Sequence, residues 1–160
     1  MKLKKSTPIK RHESLQPLSR QHHTSLLFCW KIRTGFNKDI PANRMKAYAN
    51  WFFHAHLKPH FEAEEKHIFP LLDSNNKLVK KALTEHRRLT RLFKSTENPE
   101  KVLGQIEEEL DAHIRFEERV LFNEIQKCTS PEILNELEML HNTQETRETT
   151  SWTDEFWETP

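Results

Sequence analysis

A chain of 160 residues is long enough for one domain with a real hydrophobic core. Its 25 Lys and Arg against 24 Asp and Glu leave a formal charge of +1, which gives no basic excess for nucleic acid, and no apolar run approaches a membrane span. Only two glycines argue against Gly-rich phosphate loops, and two distant cysteines, Cys29 and Cys128, against a disulfide framework or zinc–thiolate site, so a reducing cytoplasm suits the chain.

Residues 1–13 read as a flexible, basic N-terminal arm carrying Pro8, with no apolar stretch after it that would make a signal peptide. Ser19 is expected to cap a first helix running to about Thr34, with Gly35 just past its end and Leu26, Leu27, Trp30 and Ile32 as its apolar residues. Ile40-Pro41 opens a long second helix to about Leu71, and Pro59 should kink it one residue before His60. Asp73-Ser74-Asn75-Asn76 is a turn and cap, after which Val79, Ala82, His86, Leu89 and Phe93 mark a third helix over 77–94. Asn98-Pro99-Glu100 starts a fourth helix to about Cys128. Ser130-Pro131-Glu132 starts a shorter fifth to about His141. Residues 142–160 read as a polar, disordered tail whose Trp152, Phe156 and Trp157 could still dock. No strand pattern occurs. The expected fold is all-α: an up-down-up-down four-helix bundle over residues 14–141, with a short fifth helix and a polar C-terminal tail.

Helices two and four share a motif. His60-Phe61-Glu62-Ala63-Glu64-Glu65 and His113-Ile114-Arg115-Phe116-Glu117-Glu118 both read His-x-x-x-Glu-Glu, each followed within five residues by an apolar residue and Phe. Residues four apart share a helix face, so each segment presents an imidazole and a carboxylate together. That face is the apolar one. In helix four the stripe Ile106, Leu110, Ile114, Val120, Leu121, Ile125 is interrupted by His113 and Glu117. In helix two the stripe Phe53, Leu57, Ile68, Leu71 is interrupted by His60 and Glu64. A bare carboxylate in an apolar core costs several kcal/mol, so something positive must lie between the two, and a metal ion fits best.

Alternating helix direction would bring one histidine from each helix to a common depth: His22 or His23, His60, His86 and His113. Taken singly, His86 or His23 is more often a hydrogen-bonded core histidine, and a lone His-x-x-x-Glu pair a solvated ion pair. Their coincidence on one side of four helices is what points to metal.

These residues resemble the hemerythrin-like (HHE, cation-binding) family over about Leu18 to Ile125. The matching pieces are Leu18-Ser19-Arg20-Gln21-His22-His23, His60 to Pro70, Glu85-His86-Arg87-Arg88-Leu89, and His113 to Phe122. The resemblance implies a four-helix bundle holding two non-haem iron ions bridged by the two glutamates, with His23, His60, Glu64, His86, His113 and Glu117 as ligands. On helix one the neighbours Leu26, Leu27 and Trp30 favour His23, and His22 is the alternative. Oxygen-carrying members place two histidines one turn apart on helix three. Ala82 stands where the first would fall, which leaves one metal short of a ligand and argues against reversible oxygen carriage. His56, one turn before His60, could fill that gap, though a supporting or exposed role is the favoured reading. His67 makes a Glu-x-x-His pair with Glu64, but Leu110 stands where a second such unit needs its Glu. His12, His54 and His141 read as surface.

The function expected from this reading is a metal-binding, di-iron protein that meets O2, NO or peroxide in sensing, scavenging or iron handling. Zinc or manganese are the rival metals, since such a donor set does not select iron by affinity alone. A non-catalytic role is favoured. The alternatives are a di-iron redox or repair enzyme and a metal-independent helical interaction module using the Trp-rich tail. No nucleic-acid or membrane partner is expected, and no protein partner is identified.

Overall fold

The computed structural model describes residues 11–136 and 151–158, and among these every regular element is helical. A 3-10 turn, Glu13–Leu15, leads into α1, Gln16–Asn37. The long α2 occupies residues 42–71, α3 is Lys77–Lys94, and α4 occupies residues 99–128. A further helical segment, α5, begins at Pro131 and is described to Glu136. The expected span of α5 beyond it, with His141, lies outside the described residues. Residues 1–10, 137–150 and 159–160 do too.

The helix ends follow their capping residues. Asn76 accepts the Leu78 and Val79 amides at 2.9 and 3.3 Å, and Arg91 and Lys94 occupy the last turn of α3. Asn98 and Pro99 open α4, as their types require. The start of α1 lies earlier than Ser19. Its entry is fixed by the His12 side chain, which accepts the Ser14 amide at 3.1 Å, and Pro17 occupies the first turn. Nor does α1 stop at Gly35, which lies two residues inside its last turn. The glycine is needed there for space. A Cβ would collide with the Met45 sulfur and lie 2.9 Å from the Phe156 ring.

Both long motif-bearing helices contain π turns. In α2 these are Phe53–Leu57 and Glu64–Ile68, and in α4 Glu117–Leu121. The first precedes Pro59: the Lys58 amide bonds the Phe53 carbonyl, and the wide turn accommodates the missing Pro59 donor without ending the helix. The other two begin at Glu64 and Glu117, whose carbonyls accept from Phe69 and Phe122. Each extra residue rotates the helix C-terminal to it. Val120, which an uninterrupted helical period puts on the apolar stripe, is 44% exposed, while Leu121 and Phe122 are fully buried.

The core is divided into two apolar clusters. One gathers Phe28, Met45, Phe52, Phe93, Leu103 and their neighbours; the other gathers Leu15, Leu18, Ile68, Phe122 and Ile125 with theirs. Between them, along every one of the four long helices, lie His22, then His60 and Glu64, then His86, then His113 and Glu117.

Two sequence expectations fail at the chain ends. The arm does not extend to residue 13, because Arg11 is folded onto α4, with its guanidinium 3.1 Å from the Glu118 carboxylate. The tail is not disordered over 151–158: Phe156 is buried in the first cluster, Trp152 and Trp157 lie against Tyr48, and Asp154 pairs with Arg44. Three aromatic residues in six supply enough apolar area to anchor the segment. No helix among the described residues is long and apolar enough to cross a membrane.

Candidate metal centre

The residues that interrupt the apolar stripes converge in the layer between the two clusters. His22, His60, His86 and His113 are 2–4% exposed, and Glu64 and Glu117 are wholly buried. They form two overlapping groups, His22–His60–Glu64–Glu117 and His86–His113–Glu64–Glu117, in each of which the donor atoms lie within 4.8 Å of one another. That is close to the ~4.4 Å spanned by donors across an ion with ~2.2 Å bonds. Both carboxylates belong to both groups.

All four imidazoles point Nε2 inward. His22 Nε2 lies 2.9 Å from Glu117 and 3.4 Å from Glu64, and His60 Nε2 lies 3.2 Å from Glu64. His86 Nε2 is 3.3 Å from Glu64 and 3.2 Å from Glu117, and His113 Nε2 is 2.7 Å from Glu117. Proximity here is not hydrogen bonding throughout. His60 Nε2, His113 Nε2 and both Glu64 oxygens are buried without an aligned partner. The reason is on the far side of each ring, where Nδ1 donates outward: from His22 to Glu118 at 2.6 Å, from His60 to Gln21 at 2.6 Å, from His86 to Glu65 at 3.1 Å and from His113 to Glu85 at 2.8 Å. With Nδ1 as donor, a neutral ring turns a lone pair toward the carboxylate lone pairs. Acceptors facing acceptors in a buried layer require a cation among them, and unpaired buried polar atoms of this kind cost free energy until one is supplied.

The electrostatics state the same demand in protons. Burial pulls the His22 and His86 pKa values down, yet hydrogen bonds to Glu117 and the surrounding carboxylates outweigh it and leave both well above the ordinary imidazole value. His113 is also raised, burial being outweighed by the charge of Glu117 2.7 Å away and the hydrogen bond to Glu85. Burial pushes the Glu117 pKa up, but the His113 charge and the converging hydrogen bonds hold it well below the usual carboxylate range. Without a metal, protons fill the role of the positive charge. With its nitrogen and oxygen donors, shared carboxylates and outward-braced imidazoles, each group could hold a metal ion.

Of the sequence-predicted residues, the structure brings together His60, Glu64, His86, His113 and Glu117. It corrects His23, which is exposed on the outer face of α1, whereas His22 is in the cluster. The misleading signal was the apolar run after His23. Leu27 and Trp30, read as core, are 43% and 48% exposed, and the buried face of α1 is instead Leu18, His22, Ser25, Cys29 and Ile32. His56 does not fill the place left by Ala82. It is half-buried between the Trp51 and Phe52 rings, whose centroids lie 5.2 and 5.3 Å from its own, and it stands outside both groups.

Sequence reasoning missed the outer acceptors Gln21, Glu65, Glu85 and Glu118. Their signal was adjacency, since each is the chain neighbour of an inward-facing residue. It also missed the rings beneath the site. Phe61 stacks on His86 at 3.8 Å, and the two π turns place Phe69 5.3 Å from His86 and Phe122 5.1 Å from His22. Compared with protein-family models, curated proteins and solved structures, the chain matches none.

Proposed function

We propose that this chain is a hemerythrin-like metal protein, its four long helices forming an up-down-up-down bundle around a non-haem di-iron centre that meets O2, NO or peroxide. The observation that carries this reading is the convergence of four imidazole Nε2 atoms and two fully buried carboxylates, several without an aligned partner. The alternating direction is supported by the order in which each helix meets the two apolar clusters. The chain passes from the Leu18 cluster to the Phe28 cluster in α1, back in α2, forward in α3 and back again in α4.

His22 and His60 would hold one iron and His86 and His113 the other, with Glu64 and Glu117 shared. Iron held there in the ferrous state would supply electrons for reduction of O2 or peroxide and open positions for small ligands. The chain's own part is to turn each Nε2 toward the site, an orientation and tautomer that the outward Nδ1 hydrogen bonds fix, and to exclude bulk water through the apolar clusters above and below. Six protein donors between two ions, with Ala82 in place of a seventh and His56 turned away, leave room for exogenous ligands. Such openness favours oxidation over reversible carriage, and a sensing, scavenging or iron-handling role follows.

Elemental analysis of protein produced with iron should give about two equivalents of metal per chain. Folded protein with reproducibly no metal overturns the reading, and it would leave the metal-independent interaction module. Zinc or manganese in place of iron would keep the site and change its chemistry. Mixed with air, the reduced iron-loaded protein should oxidise without a spectrum that reverses under argon.

A further inference from the structure

The site has an approximate internal symmetry that one residue breaks. In the α1–α2 half, Gln21-His22 pairs with His60 and Glu64-Glu65; in the α3–α4 half, Glu85-His86 pairs with His113 and Glu117-Glu118. The outer hydrogen bonds run in a closed ring. Gln21 on α1 holds His60 on α2, Glu65 on α2 holds His86 on α3, Glu85 on α3 holds His113 on α4, and Glu118 on α4 holds His22 on α1. Each helix therefore braces the histidine of the next, and removal of one member loosens one histidine only.

Three of the four braces are carboxylates and the fourth is an amide. A carboxylate accepting from Nδ1–H raises the electron density that Nε2 offers a metal and orients the ring, whereas a neutral amide chiefly orients it. The His86–His113 position has two carboxylate braces, Glu65 and Glu85. The His22–His60 position has one, Glu118, and that one is paired at 3.1 Å with Arg11, whose side chain is only 6% exposed. Glu85 also has a cation, Lys81, but that side chain is 51% exposed and its charge is screened by water. The local charge thus favours a metal ion between His86 and His113.

We propose that the two metal positions are unequal, that the His86–His113 position binds first and more tightly, and that Gln21 opposite Glu85 is the residue that sets the difference. Gln21, Glu65, Glu85 and Glu118 are positioning residues: none donates to the metal, and each acts through the imidazole it braces. This rests on the two-metal reading above. Its consequence is a labile position on the α1–α2 side, from which one ion can exchange while the other stays.

The test is anaerobic titration of metal-free protein with Co(II), followed by calorimetry and absorbance. Wild type should show two separable steps, the tighter one surviving in His60→Ala and lost in His113→Ala. Glu85→Gln should weaken the tighter step by about 10–100-fold. Gln21→Glu should tighten the weaker step by a similar factor, a gain that a merely structural role would not produce. Gln21 is exposed, so this variant remains informative if Glu85→Gln disturbs folding. Two ions binding in equivalent steps, or a tight step retained in His113→Ala and lost in His60→Ala, overturns the inference and leaves the two-metal reading intact. So does Gln21→Glu leaving both steps unmoved. A folded protein that takes up no Co(II) overturns both.

Discussion

His22 and His23 are chain neighbours with the same side chain, yet one is buried against two carboxylates and the other is exposed. Consecutive helix residues point about 100° apart, so only one can face the layer. His22→Ala should therefore reduce bound metal by about one equivalent, while His23→Ala should leave metal content unchanged. Equal losses by elemental analysis would place the wrong face of α1 inward. The two cysteines divide in the same manner. Burial, reinforced by Asp111 and Glu107, pushes the Cys29 thiol up to about 12, whereas Cys128 is exposed, its pKa raised by the hydrogen bond it donates to Glu124. A maleimide should label one thiol per native chain, Cys128, and peptide mapping that finds Cys29 modified before unfolding would contradict the packing of α1 on α4.

Among the elements, the segment 151–158 is the one whose docking is most open to test. Phe156 is 3% exposed against Tyr48 and Gly35, and the Lys31 ammonium lies 4.1 Å from the Trp157 ring centroid. Truncating a buried Phe costs up to ~3–5 kcal/mol, and local release of the tail sets an upper limit on the loss that the rest of the fold feels. Phe156→Ala and removal of residues 151–160 should accordingly lower the melting temperature by nearly the same amount. Gly35→Ala should also destabilise, by roughly 1–3 kcal/mol, because the added methyl meets Met45 and Phe156. If tail removal relieved the Gly35→Ala penalty only in part, the remainder would measure the Met45 clash.

For the molecule as a whole, the layer of buried charge couples folding, metal and pH. The raised pKa values of His22, His86 and His113 stabilise the metal-free protein below the unfolded imidazole value of about 6.5, and that stability is lost as pH rises through the raised folded values. The depressed Glu117 and Glu64 act oppositely, stabilising above about pH 4.3 and losing that effect as pH falls. Metal competes with the same imidazole protons, so its stabilising effect grows as pH rises. Melting curves of chelated and metal-loaded protein should therefore diverge between about pH 6 and pH 9, the chelated form weakening on the alkaline side. Parallel curves across that range would mean that the imidazoles do not hold the protons that metal displaces.

Local signals determined the helices. Asn76, Asn98 and Pro99 place the starts of α3 and α4, the apolar period gives their lengths, and the doubled His-x-x-x-Glu-Glu puts two carboxylates on inward faces. These follow from sequence because capping and helical periodicity act within a few residues. The inward rotation of α1 was decided elsewhere. Its apolar residues cover more than one face, and only contact with Phe122, Glu64 and Glu117 selects His22 over His23. The π turns at Glu64 and Glu117 shift the period where a sequence template assumes it constant, which is why Val120 was misplaced. The ring of outer hydrogen bonds joins residues 21–96 positions apart, and 107 apart for the Arg11–Glu118 pair, and no local spacing encodes such pairs. They exist because four helices, once packed, bring each brace to the histidine of the next.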